Sequence, residues 1–505
     1  MLRTLLIFAL CTLAVLAGSP LSQATTIRAG ASAAPAGYGN PYMGLISRNV
    51  LTTATLFDSL TAISGDGSVQ ASLALTWTPV SDTEWHFGLR PDVAFSNGEV
   101  LDAEAVVETF RFLTSPAAAR YILAREASGI ASVAAIDSLT VSIVTKAPDA
   151  ILPKRLSMLT ILPPNAWAEL GPDGFAETPI GTGSYVLEDW GKALGRAILI
   201  ANPMSWRAPE QIDRIEMRYP LRDPATRLAA LRSGDIDITL NLAFDDIADV
   251  RAEGFTVLLH PLPQIRALVL PNTDPNSPLA DVRVRQALNY GVDKQAIADV
   301  LYQGAVSPVG QGSIPGTVGY NPDIKPYPYD PDRARALLAE AGYAEGLTLN
   351  AEVEIGQAQN MYLKAAQDLA RIGVTLNVRT VVAAEWLRKY FSADLGRADI
   401  ISLVWDSGAY RDTVRSIETY SCDKPNPLFC EPSLMPALHA TGAIFDLTAR
   451  DQALQDIMAR MHDLAPALFL VNHTNSTAAH SSVENIVLTE RGLAFEKMRL
   501  GAKSP

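Results

Sequence analysis

The stretch ISLVWDSGAYRDTVRSIETYSC, residues 401–422, gathers the groups in this chain best able to grip a ligand. An apolar run ends in Trp405 and passes into a polar loop with Asp406, Tyr410, Arg411 and Asp412. Strand ends in α/β folds are where ligands sit. An aromatic ring beside one or two carboxylates suits a cation, or an amine with an apolar body. The same letters also describe a strand closing on a buried Trp with a solvated loop behind it, and composition alone does not separate the two.

Other chemistry fails on spacing. Gly181-Thr182-Gly183 suggests a phosphate cradle, but no Lys-Ser/Thr follows at P-loop distance, and the run SYVLEDW behind it reads as a strand. The six histidines form no His-Glu-x-x-His pair, and no Cys-x-x-Cys accompanies them. Ser421-Cys422-Asp423-Lys424 matches the Ser-x-x-Lys of β-lactamase-type nucleophiles, without the companion Ser-Asp-Asn and Lys-Thr-Gly. The expectation is no enzyme, no cofactor and no metal.

The elements that must position the 401–422 stretch alternate between strand-like and helix-like runs, the signature of an α/β fold. TEWHFGLR (83–90) alternates as a strand. After a turn at Ser96-Asn97-Gly98, the pattern predicts a helix capped by Asp102, with Val106, Phe110 and Leu113 on one face. DPDRARALLAEAGY (330–343) predicts a second, with Asp330 as cap, Pro331 in the first turn and Gly342 at its end. DPATRLAALRSGDIDITL (223–240) repeats that design and runs into a strand at Ile236.

The 505 residues exceed what one hydrophobic core holds, roughly 250–300, so two or more lobes are expected. The first two dozen residues read as a signal peptide: Arg3, then an apolar Leu5–Ala17 region, then Ser22-Gln23-Ala24 with cleavage after about Ala24. The apolar region falls short of the ~20 residues that span a bilayer. Cleavage removes one positive charge, taking the net charge from −13 to −14. Such an acidic chain repels nucleic acid. Cys11 leaves with the signal, so Cys422 and Cys430 remain and are expected to pair in an oxidising compartment, stabilising by about 2.5 kcal/mol at most.

One resemblance draws these pieces together. ADVRVRQALNYGVDKQAIADVLYQGAVSPVGQGSIPG (280–316), followed by YPYDPDRARALLAEAGY, closely resembles the solute-binding proteins of peptide and nickel ABC transporters. So do the Pro-Ile-Gly-Thr-Gly-x-Tyr segment (179–185), the 85–113 strand-turn-helix and RLAALRSGDIDI. The resemblance implies a two-lobed periplasmic binding fold with a hinge. Residues 25–57, 174–265 and 472–505 would form one lobe, a small domain of 58–173 would be inserted in it, and 266–471 would form the other lobe. Gly181 and Gly183 would serve the backbone where the chain returns from the small domain, adopting positive φ at no steric cost.

The implied protein is a monomeric periplasmic receptor that closes on a solute and delivers it to a membrane permease. Its ligand would be a short peptide or peptide-like amine. The alternatives are a nickel chelate, an opine or a modified sugar, and, remotely, the chain is a secreted hydrolase. Trp405 matches the Trp of the family's Trp-x-x-Asp-Tyr ligand motif, but Gly408 stands where the amine-binding aspartate belongs and Tyr410 comes one place late. Asp406 or Asp412 would have to substitute. Asn40 and Tyr42, in GYGNPYMG, fall where the family's first-lobe ligand loop starts. On this reading, Trp405→Ala should weaken binding and leave the melting temperature nearly unchanged.

Overall fold

The computed structural model describes residues 24–35, 37–43, 53–121, 123–355, 359–489 and 492–501. The signal-peptide stretch 1–23 lies outside the described residues. No helix among them is long and apolar enough to cross a membrane.

One mixed ten-stranded sheet runs through the chain. In spatial order its strands are Val374–Val381, Leu347–Glu354, Ile400–Asp406, Thr256–Val269, Ala467–Ala479, Ile238–Leu240, Thr26–Gly30, Arg214–Arg218, Arg196–Ala201 and Tyr185–Asp189. The two long central strands, Thr256–Val269 and Ala467–Ala479, pair antiparallel along their whole length. Their register slips twice, between Leu262 and Ile265 and between Arg266 and Ala267. Ile265 faces Asn472 there, and Arg266 faces Val471.

Side chains on either side of this crossing feed different cores. On the 347–406 side, period-2 alternation sends Ile265, Ala267 and Val269 to one face with Trp405 and Phe469, and Leu268 and Leu270 to the other with Leu349 and Tyr362. A separate four-stranded antiparallel sheet, Ala74–Pro79, Glu84–Leu89, Thr140–Thr145 and Ile130–Asp137, packs on helix Ala103–Leu113 within residues 58–173.

Local signals place the helices well. Asp102 accepts from the Ala105 amide at 2.9 Å, and Val106, Phe110 and Leu113 are buried. Asp330 caps Pro331–Glu340 through the Arg333 amide, and Asp223 caps Pro224–Arg232 through the Ala225 amide. The glycine reasoning needs a correction: neither Gly181 nor Gly183 has positive φ. A Cβ on Gly183 would collide with the Thr55 carbonyl oxygen, and one on Gly181 with that of Leu56. The Gly183 amide donates to the Leu56 carbonyl at 3.0 Å. Close backbone approach, rather than turn geometry, requires the glycines.

Candidate functional site

A cavity of about 1390 Å³ opens where the three parts of the chain meet. Its floor is the strand crossing and its neighbour: Leu262, Gln264, Arg266, Ser402, Asp406, His473 and Asn475. Residues 123–158 supply one wall, with Leu123, Arg125, Glu126, Ile151, Arg155 and Met158. Helix Ala383–Ser392 supplies another, with Trp386, Leu387, Tyr390 and Phe391. Asp58, Trp206, Arg207 and Glu496 close the remaining side.

Asp406 reaches this cavity, and Tyr410 borders it while being fully buried itself. Both Asp406 oxygens are engaged: Oδ2 with Arg415 Nη1 at 2.8 Å, and Oδ1 with the Gly408 amide at 2.9 Å and Gln264 Nε2 at 3.3 Å. The Tyr410 ring lies between the guanidiniums of Arg155 and Arg415, at 5.4 and 5.7 Å, and its hydroxyl donates to Glu126.

The other four predicted site residues are placed elsewhere. Trp405 is fully buried, stacked on Tyr420 at 4.0 Å and edge-on to Phe469 at 5.0 Å. Trp405 lies behind Tyr420, which lines the cavity, so the indole is core packing beneath the wall and not part of the lining. Asp412 is 0% exposed and bound by Arg450 at 2.6 Å and Lys154 at 3.3 Å. Burial alone would raise its pKa, but the charges of Arg450 and Lys154 outweigh it and hold the carboxyl below its ordinary value. Tyr42 is buried among Phe112, Tyr121 and Trp167 and donates to the Thr160 carbonyl at 2.5 Å. Asn40 accepts from the Tyr42 amide at 3.0 Å, as a turn residue does.

Ser421 is buried and its hydroxyl donates to the Glu418 carbonyl at 2.9 Å. Next to it the Cys422 and Cys430 sulfurs stand 2.12 Å apart, as a disulfide. This closes a loop whose Asp423 and Lys424 reach the cavity rim.

Sequence reasoning missed the helix wall and the arginines. Trp386 and Tyr390 stack in parallel at 5.4 Å, with the indole N–H fixed on the Ser402 carbonyl at 2.8 Å. Arg125 lies over Phe391 at 4.4 Å. The one available signal, aromatics at i and i+4 of an amphipathic helix, reads equally well as core. His473 holds Gln264 through Nδ1 at 3.0 Å, and burial, aided by Arg266, pushes its pKa down to about 3.

The model of bacterial extracellular solute-binding proteins, family 5, matches residues 68–426. The chain belongs to this family. It is 26% identical over 460 residues to the nickel-binding periplasmic protein of Escherichia coli (strain K12), covering 84% of this chain and 85% of that one. It is 32% identical over 243 residues to heme-binding protein A of Haemophilus influenzae, 47% and 44% of the two chains. Among solved structures, the periplasmic binding protein DppA from Helicobacter pylori, in complex with peptide STSA, superposes with a TM-score of 0.80. That match is 20% identical and covers 95% of this chain and 99% of that one. These matches establish the two-lobed periplasmic binding protein fold that the sequence led us to expect.

Proposed function

We propose that this family member is the exported, periplasmic receptor of an ABC importer. It takes a small solute into the cavity between residues 266–471 and the rest of the chain, then presents the closed form to a membrane permease. The supporting observation is the cavity itself: about 1390 Å³, lined from three parts of the chain joined through the strand crossing. That exceeds the ~300–1,000 Å³ of typical small-molecule sites and accommodates a solute of short-peptide size. The irregular pairing near Ile265 and Asn472 is the natural hinge, since a slipped register leaves the ladder weakest there. Relatives named for nickel, heme, glutathione and peptide binding share the scaffold, so the ligand must be argued from this cavity.

The charge pattern favours a solute without a free amine over an ordinary peptide. Of the eight described carboxylates lining the cavity, six are paired with arginine: Asp406 and Glu126 with Arg415, Asp149 and Glu418 with Arg155, and Asp58 and Glu496 with Arg207. Asp423 is paired with His439. An ammonium group approaching one of the six would share it with the arginine already there, as Lys154 shares Asp412 with Arg450, and would gain less than at an unpaired carboxylate. The nickel-chelate, opine and modified-sugar readings need no such anchor.

Mass spectrometry of the solute that co-purifies with native protein tests both statements. Recovery of one non-peptide small molecule is the expected result. Recovery of unmodified peptides would reinstate the amine reading, and turnover of the recovered molecule would replace the receptor with an enzyme.

A further inference from the structure

We propose that the closed form of this receptor is held by an ionic latch, whose members position the two sides of the cavity without being ligands themselves. The proposal rests on the receptor reading above. Three residues of the small-domain stretch, Glu126, Lys154 and Arg155, meet three from the strand exit opposite, Asp412, Arg415 and Glu418. The pairs are Lys154–Asp412 at 3.3 Å, Arg155–Glu418 at 2.8 Å and Arg415–Glu126 at 3.7 Å.

Each side contributes both signs, so only one register satisfies every pair. A shifted closure would set like charges against each other, at a cost in free energy. Apolar contact backs the pairs: Ile151 enters the cluster around Trp405, and the Ala150 amide donates to the Gly442 carbonyl at 2.8 Å.

The device is built to reverse. A buried charge that loses its only partner is strongly destabilising. Here Asp412 keeps Arg450, Arg155 keeps Asp149 at 2.9 Å and Arg415 keeps Asp406, each on its own side of the cavity. Opening therefore leaves these three a first partner, while Lys154, Glu126 and Glu418, each ion-paired among the described residues only across the cavity, are released toward water. The balance between states is a few kcal/mol in such proteins, so three contacts of this kind are enough to populate closure before any solute arrives.

The test uses the full mature chain, stripped of solute by denaturation and refolding without reductant. Spin labels on Ala134→Cys and Glu340→Cys, both exposed, report the distance between the small domain and the far lobe. The unaltered chain should show a short-distance population. Arg155→Met and Glu126→Gln should each move the closed-to-open ratio about tenfold toward open. Arg155→Met combined with Glu418→Gln should do little more than Arg155→Met alone, and Arg155→Lys should recover part of the closure. Should Arg155→Met fail to fold, the near-isosteric Glu126→Gln and Glu418→Gln carry the test.

A stripped chain found only in the open state, or variants with the parent's distance distribution, would overturn the latch. Adding the low-mass fraction released from native protein separates the two readings. If that fraction shortens the distance equally in parent and variants, only the latch fails. If it shortens the distance in no chain, the receptor itself fails.

Discussion

The two aromatic walls near the cavity make opposite use of the same residue type. At Trp405 the indole is sealed between Tyr420 and Phe469, and the acid seven residues on is locked by Arg450 and Lys154. At Trp386 the indole is half-buried, pinned by one hydrogen bond and stacked on Tyr390 at the cavity surface. The first wall is enclosed: the Trp405 indole N–H and the Tyr420 hydroxyl are buried without a hydrogen-bond partner among the described residues, and the indole presents no surface to a ligand. The second has a ring surface still available. A Trp next to carboxylates marks a binding site only where the fold leaves those groups uncommitted.

The contrast breaks most sharply at Trp405. Trp405→Ala should cost about 3–5 kcal/mol of stability in denaturant unfolding, reversing the sequence-based expectation of an unchanged melting temperature. An unaltered midpoint would mean that the indole is not a core group. Asp412→Asn comes next: it leaves Arg450 and Lys154 facing each other without a counter-charge and should cost about 3 kcal/mol.

Trp386→Ala tests the other wall. Affinity for the co-purified solute, measured by calorimetry, should fall about tenfold, with a smaller stability loss than at Trp405. Equal affinity would return the shelf to a packing role. The smallest effect concerns the floor between the walls. His473 binds a proton only near pH 3 when folded, whereas an unfolded histidine does so near 6.5. The unfolded state therefore takes up protons first, and stability should fall on acidification below pH 6.5, by about 1 kcal/mol over the first unit. His473→Gln should flatten that slope. A parent chain equally stable at pH 6.5 and 5.5 would place His473 in water.

What the sequence made legible follows the range of the interactions. Caps such as Asp102 and Asp330 act on amides three residues away, so a short window contains the whole cause. The strand exit at Trp405 was also visible, and so was the pairing of Cys422 with Cys430. The fate of Asp412 was not, because Lys154 lies 258 positions away along the chain. Trp386 was invisible for the converse reason: nothing local says that the surface covering an amphipathic helix is missing on one side. Gly181 and Gly183 fell between these cases, placed correctly but justified by the wrong geometry, because the segment that crowds them is more than a hundred residues earlier.

The shared sheet has a thermodynamic consequence. Both halves of the molecule hang from the same ladder of backbone hydrogen bonds between Thr256–Val269 and Ala467–Ala479. Melting either half would strip partners from the other, so heat or denaturant should bring the chain down in a single cooperative event, despite a size at which independent transitions are common.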